Sequence, residues 1–473
     1  MCMSTFYGIE LGKRALQVQK KSLDVTGHNI ANANTEGYSR QRAVHTTTDP
    51  YTVPGFTSPA GAGQVGTGVK IEQIVRLKDD FITSRINNET QDLGAWEARK
   101  DNLHQIELIF NEPSENGLRN LMDLFWSSWH ELSLNPESEG VRSTVREQAK
   151  TLIEGFKSTY NQLIQLKDDI NHDIDVNVQR VNTLGEKIAM LNKRIVAVES
   201  DPQKRANDLR DKRDLLVKKL AKYINVQAHE DGQGNLNLSI GGVSFVTGDT
   251  FHKIELEEIT LPGTTSYKVV KPVWSHINSD VTITSGKIKG AMDVRDKDII
   301  QYIDKLNELV EGIVTEVNSI HSSGEDLNGN TGVDFFDSSK TTADTMSLDS
   351  AIESDLNAIA AAQTGGGVGD GRNAEAIAEL QNALTMSGNK STFNEFYTSI
   401  ISGLGVEAEK ANMMYDNQEV MINNLENKQA SISGVSLDEE MANMIKFQQA
   451  YNAAAKMVSK VDEMLNTLIN GMI

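Results

Sequence analysis

Hydrophobic residues fall into long helical rows at both ends of the chain, and the C-terminal row is the more regular. From Met444 the apolar positions are Met444, Phe447, Tyr451, Ala454, Val458, Val461, Leu465, Leu468 and Met472, in steps that alternate three and four. That alternation is a coiled-coil seam. Gly434 and Ser436 stand before it, and Glu439 follows Ser436 by three, which predicts a capping box and a helix over 437–469. At about 1.5 Å per residue this helix is roughly 50 Å long. Such a seam leaves an apolar stripe in water unless its own domain or a partner helix covers it. The other end of the chain supplies a candidate, a helix predicted over 4–30. Ile9, Leu16, Leu23 and Ile30 recur every seven residues, and Leu11, Val18 and Val25 form a second row displaced around the same helix. Two apolar faces suit a helix that touches two neighbours at once, in a bundle or a polymer; burial inside one domain produces the same pattern.

Between the ends the pattern changes several times. Residues 46–68 are rich in Thr, Pro and Gly and read as an extended linker with short strands at best. Helical spacing resumes near Ile74 and runs through Phe81 and Trp96 to Phe110, where Pro113 ends it. A second helix over 118–134 carries Leu121, Leu124, Phe125, Trp126 and Trp129 at core spacing. The longest periodic run, 141–198, predicts a rod. Asp201-Pro202 then reads as a helix restart, with Asp at the cap and Pro in the first turn. The mixed charges of 207–214 read as a solvated face. From 224 to 292 short alternating runs between Gly and Asp punctuation predict a small antiparallel β domain that projects outward. A helix follows through Ile299, Leu306, Ile313 and Ile320, and another begins at Asn373 and continues through Ile377, Leu380 and Leu384. The fold class is therefore mainly α with a small inserted β domain, in an elongated multi-domain chain. It has long coiled-coil terminal helices (1–45 and 430–473), a helical rod domain (46–223 and 293–429) and an outer β domain (224–292).

Composition narrows the function classes. The 473 residues carry a net charge of −20, which argues against nucleic acid as a partner. Cys2 is the single cysteine, so no intrachain disulfide or Cys-based metal site is expected. No apolar run reaches membrane-spanning length, and no apolar stretch follows Lys13 and Arg14 as a cleaved signal peptide would require. This implies either the cytoplasm or export by a route without a cleaved signal. No catalytic constellation or cofactor fingerprint stands out. His252 and His276 lack partners at informative spacing, and His321 reads as a helix C-terminal histidine favoured by the dipole. Asp326, Asn328, Asn330, Asp334 and Asp337 follow EF-hand spacing, but Thr331 stands where the loop needs Gly, and Asp337 is shorter than the usual Glu. A turn-rich loop is the simpler reading, with weak Ca²⁺ binding as the alternative. Gly365–Gly371 lacks the Lys-Ser/Thr pair of a phosphate loop and reads as a turn.

After the first helix comes Asn29-Ile30-Ala31-Asn32-Ala33-Asn34-Thr35-Glu36-Gly37-Tyr38. Its Asn and Gly residues predict a helix terminus and a turn. Together with Thr26-Gly27-His28 it resembles the N-terminal motif of the flagellar rod, hook and hook-associated protein family. Ser39-Arg40-Gln41 is similar to the hook-filament junction branch of that family, as are Phe6, Gly8, Ile9, Ala15, Leu16, Gln19 and Leu23. At the other end Gly434-Val435-Ser436-Leu437-Asp438-Glu439-Glu440-Met441-Ala442, with Gln448, Gln449, Tyr451, Ala453 and Ala454, resembles the matching C-terminal motif. The resemblance implies a structural subunit that joins hook to filament, with no enzymatic activity and no cofactor or metal. Its terminal helices would pair into the inner tube of an extracellular polymer after type III export. The implied partners are the hook protein, a second hook-associated junction protein, further copies of itself in a ring or helical lattice, and an export chaperone at the C-terminal region; nucleic acid and membrane are not among them. The expected subunit-interface residues are Ile9, Leu16, Leu23, Ile30, Met444, Phe447, Tyr451, Val458, Val461, Leu465 and Leu468, with Asn29, Asn32, Asn34, Gly37 and Tyr38 setting the turn. The alternatives are another axial protein such as a hook protein, a cytoplasmic coiled-coil scaffold, or an enzyme with activity in the β insert.

Overall fold

The computed structural model describes residues 6–50, 66–112, 114, 117–201, 203–261 and 267–471. Cys2, Pro54, Pro59, Gly61, Gly63, Pro113, Pro202 and Met472 lie outside them. Helix α1 (Tyr7–Ala31) leads into an antiparallel hairpin of β1 (Gln41–Thr47) and β2 (Val69–Arg76). The start of the periodic run near Ile74 is therefore strand, and the boundary expected after residue 45 falls inside β1. Helix α2 (Asp80–Phe110) begins where the Asp79 carboxylate accepts the Ile82 N–H, and ends at Asn111 in the left-handed conformation. Helices α3 (Leu118–Leu134), α4 (Glu139–Glu199) and α5 (Asn207–Ala221) follow.

The 61 residues of α4 make an axis roughly 90 Å long. Leu163, Ile170, Ile174, Val178, Val181, Ile188 and Ile195 bury its inner stripe. The sequence pattern carries this helix well because its apolar positions keep helical spacing throughout. In α3, Phe125, Trp126 and Trp129 are buried, whereas Leu124 points outward. Phe81, expected in the apolar row of α2, is also exposed.

Two small sheets occupy the insert. One is β3 (Gln227–Glu230), β4 (Leu236–Ile240), β5 (Val243–Thr247) and β6 (Thr250–Phe251). The other is β7 (Ile254–Leu261), β8 (Tyr267–Trp274) and β9 (Ser279–Asp280). Both are seated on the C-terminal half of α4 and share its hydrophobic core, so the insert does not project freely. Gly185 makes the seat possible: a Cβ there would stand 2.5 Å from Cζ of Phe245. His252 and His276, which showed no pairing in sequence, stack at the sheet edge with ring centroids 4.1 Å apart.

The chain then returns through α6 (Lys287–Asp293), a π-helical turn (Val294–Asp298) and α7 (Ile299–His321). The π-turn carries Arg295, which is buried and donates to Asn171 Oδ1 of α4 and Val270 O of β8, both at 2.8 Å. Beyond it lie β10 (Gly324–Glu325), α8 (Ser350–Ser354), β11 (Ala362–Gln363) and α9 (Arg372–Glu379). The helix expected through Leu384 stops at Glu379, passes into a 3₁₀ turn, and leaves Leu384 exposed. The long helices α10 (Phe393–Ser433) and α11 (Leu437–Asn470) close the chain. A full capping box between Thr392 and Glu395 starts α10.

One device recurs where helices meet non-helical backbone. An asparagine amide accepts the N–H and donates to the C=O of a single residue, as a neighbouring strand would. Asn29 grips Gln41 in this way, Asn182 grips Ile254, Asn192 grips Leu236 and Asn318 grips Phe336. An unmet buried polar group costs about 1–3 kcal/mol, so each grip fixes its contact.

Phe245 fills the seat between Gly185, Phe251 and Trp274. Phe245→Ala is expected to destabilise the sheet-on-helix contact by about 3–5 kcal/mol. Amide exchange in β4 and β5, compared with the unsubstituted chain, measures this.

Candidate functional site at the joint of the two chain ends

The residue types of the two terminal motifs come together at one place. Helices α1 and α11 run antiparallel against each other. Their contact is close because α1 presents glycine: a Cβ on Gly12 would lie 2.4 Å from Val458 Cγ2, and one on Gly8 3.0 Å from Val461 Cγ2. The face of α1 turned inward carries Gly12, Val18, Ser22, Val25, Thr26 and Asn29. Ile9, Leu16, Leu23 and Ile30 lie beside it and are half-buried. On α11, Met444, Phe447, Tyr451, Val458, Val461 and Leu465 are half-buried, and Leu468 is 55% exposed beyond the end of α1.

At the inner end of this pair a polar joint forms. Asn29 lies in the last turns of α1 and is buried, so it is a helical residue and not part of the turn. Besides gripping Gln41, its amide donates to Glu440 Oε2 at 2.9 Å and its carbonyl accepts the Tyr38 hydroxyl at 2.7 Å. Glu440, at 2% exposure, also accepts from Arg40 at 2.8 Å. Arg40 reaches Glu439 at 3.0 Å. Glu439 is therefore engaged by Arg40, while Ser436 alone caps α11. The backbone closes the same joint, with Arg40 N donating to Ser433 O at 2.9 Å.

The turn itself uses Asn32 as the helix cap, with its amide donating to His28 O at 3.0 Å, and Gly37 at φ +77° against Leu215 of α5. Asn34 is exposed. Burial, with Asp208, Asp211 and Glu440 nearby, pushes the Tyr38 hydroxyl well above its usual range and keeps it a donor.

Helix α5 forms the other half of the joint. Asp208, Asp211 and Asp214 recur every three residues and share a face. Asp208 accepts from Gln41 Nε2 at 2.8 Å, and Asp211 from Ser39 N at 3.0 Å and Arg76 at 2.8 Å. Asp214 pairs with Arg76 at 2.9 Å and Lys78 at 2.7 Å. Burial opposes its charge, but Lys78 and Arg76 prevail and hold its carboxyl below the usual range. The opposite side of the same charge run is also buried: Arg210 bonds Glu199 and Glu230, and Arg213 bonds Glu230, Asn192 and Gly234 O. The solvated-face reading of 207–214 thus fails, because partners distant in sequence satisfy these charges. The helix also starts at Asn207, later than Asp201 in the chain, with Glu199 accepting Ala206 N at 2.9 Å.

The other candidate sites resolve into structure. Asp326 accepts from the backbone of Asn328 and Asn330, both at 2.8 Å, and Asp337 binds Ser339 and Lys340. These carboxylates serve local turns, and among the described residues no group of three or more His, Cys, Asp or Glu could hold a metal ion. Gly365 and Gly367 are turn residues with positive φ, beside an Asp370 that pairs with Arg372.

Comparison with known proteins agrees with the two-ended joint. The chain is 31% identical over 504 residues to flagellar hook-associated protein 1 of Bacillus subtilis (strain 168), covering 99% of each chain. The chain belongs to the flagellar hook-associated protein 1 family. The Salmonella typhimurium (strain LT2) member is 25% identical, with 96% of this chain and 98% of that one covered. Residues 103–336 match the family described as the flagellar hook-associated protein FlgK helical domain. Residues 9–38 match the flagella basal body rod protein family, and 429–471 the flagellar basal body rod FlgEFG protein C-terminal family. In fold, the chain resembles the flagellar hook junction protein FlgK from Burkholderia pseudomallei, at a TM-score of 0.65 and 15% identity over 74% of this chain and all of that one. The rod-type matches coincide with α1 and its turn and with α11, which meet at the joint. Sequence reasoning found both motifs but missed Glu440 and α5 as their partners. Neither Glu440, the last of three acidic residues in a row, nor the charge run of α5 carries a local signal of burial.

Arg40→Ala and Glu440→Ala are each expected to loosen the α1–α11 pair, and a double-mutant cycle should return a coupling of about 0.5–3 kcal/mol. Amide exchange in α1 and α11 measures it; a coupling near zero would mean that the carboxylate is held by Asn29 alone. Gly12→Val is expected to separate the helices near Val458, seen as faster exchange in the first turns of α1.

Proposed function

We propose that this chain is the structural subunit that joins the flagellar hook to the filament, and that it polymerises through the paired helices α1 and α11. The observation that carries the proposal is the apolar surface of α11 that α1 leaves uncovered. Met441, Ile445 and Met464 are each more than half exposed, and Leu468 carries the seam on past the part that α1 covers, where it is 55% exposed. A large apolar side chain gains on the order of 1.5–3 kcal/mol when it leaves water, so several of them exposed on one helix are a strong drive to association. In this reading Ile9, Leu16, Leu23, Ile30, Met444, Phe447, Tyr451, Val458, Val461, Leu465 and Leu468 complete their burial against neighbouring copies. The joint at Asn29, Arg40 and Glu440 fixes the angle at which the helix pair leaves the body.

The partners that follow are the hook protein, a second hook-associated junction protein and further copies of this chain. Export proceeds through the flagellar type III channel, with a chaperone covering the C-terminal region beforehand. Among the described residues no helix is long and apolar enough to cross a membrane. The role is structural, and no catalytic step is assigned to the β insert.

Deleting the gene is expected to give non-motile cells with bare hooks that shed flagellin into the medium. Normal filaments in the deletion strain would move the chain to another axial position. Leu465→Asp combined with Leu468→Asp is expected to leave the body folded, by far-UV circular dichroism, while abolishing incorporation into hooks; normal incorporation would refute the polymerisation surface.

A further inference from the structure

Residues 322–363 contain little regular structure, yet they cover the end of α7 and bury Phe335, Phe336, Ala343, Met346 and Ile359. Polar side chains on the surrounding helices hold this segment. Asn307 accepts the Ala343 N–H, Asn318 grips Phe336, and Arg142 of α4 donates to Leu356 O and Ile359 O. His321, at the end of α7, makes a further pair of bonds and is fully buried. Its Nδ1 lies 2.7 Å from Val333 O, and its Nε2 accepts the Ala360 N–H at 2.9 Å. Carbonyl and amide leave no choice of tautomer: Nδ1 must carry the hydrogen and Nε2 must be bare.

We propose that His321 is an acid-operated latch, a neutral peg that holds segment 322–363 on the body and lets it open when the ring is protonated. An imidazolium has no lone pair to offer Ala360, so protonation sets one N–H against another at a site closed to water. The rings packed on His321 are those of Trp129 and Phe335, and neither can carry the charge. Asp334 and Asp326 favour the imidazolium and Arg142 opposes it, but burial outweighs them and pushes the ring down to about 4. A helix C-terminal histidine charged by the dipole, the expectation from sequence, is thereby replaced by a neutral one. In the open segment the ring regains its ordinary value near 6.5. The open form therefore binds more protons as pH falls from about 6.5 towards 4, and the closed form loses stability across that window. The inference stands apart from the junction role.

Native-state amide exchange on the full chain tests the latch. Opening at Ala360 and Phe336, corrected for intrinsic rates, is expected to rise roughly 10- to 30-fold between pH 7.5 and pH 5, while Val269 in β8 stays constant. In His321→Gln, whose amide offers the same donor and acceptor without a titrating charge, the rise should vanish. An equal rise in His321→Gln would overturn the proposal. If that variant does not fold, the His321 Cε1 resonance of the native chain decides: titration far below the ordinary histidine range supports the latch, and titration near 6.5 refutes it.

Discussion

The buried carboxylate of Glu440 is the constraint on which the arrangement of the chain depends. It sits near the start of the last helix and is shut off from water by residues from the first tenth of the sequence. A lone buried charge is costly, and removing the partner of such a charge typically costs about 3–5 kcal/mol. Arg40 and Asn29 meet that requirement together, and Asn29 can do so only while its own amide grips Gln41. The first helix, the first strand and the last helix are thus placed by a single set of hydrogen bonds. Hydrophobic rows alone would allow α1 and α11 to slide by a turn; the carboxylate admits one register.

The same logic extends through the body. Apolar stripes on α3, α4, α7 and α10 build the bulk of the core, but irregular backbone is positioned by polar side chains reaching out from helices. Asn182, Asn192 and Asn318 each hold one residue by both of its peptide groups. Arg295 ties the second sheet to α4 from a π-turn, and Arg142 caps carbonyls near α8. Burial makes these contacts expensive to break and therefore specific.

Periodicity made the helices legible in sequence: α3 spans the predicted residues, α4 nearly so, and α11 starts where Ser436 indicated. The β insert was legible from its alternation, although its seat on α4 depended on the absence of a side chain at Gly185, which carries no pattern of its own. What escaped was buried polarity. Asn29, Asp211, Arg213 and His321 are residue types ordinarily found in turns and on surfaces, and their partners lie far away in sequence. Without knowing that Arg76 meets Asp211 or that Ala360 meets His321, local chemistry points to solvent. The joint was legible as two motifs but not as one object, since the bond from Asn29 to Glu440 spans 411 positions.

The backbone bond from Arg40 to Ser433 has a mechanical meaning. The chain enters the body and leaves it at the same point, so the roughly 400 residues between form a closed branch attached at one root. A load applied along α1 and α11 would pass from one helix to the other along their contact, in shear, and would not run through α4 or the sheets. The long helix is then a lever arm that feels bending and twist about its base, while tension stays in the terminal pair. Ion pairs from Arg40 to α11 and from Arg76 and Lys78 to α5 stiffen that root, and the outer body could vary in size without altering such a path.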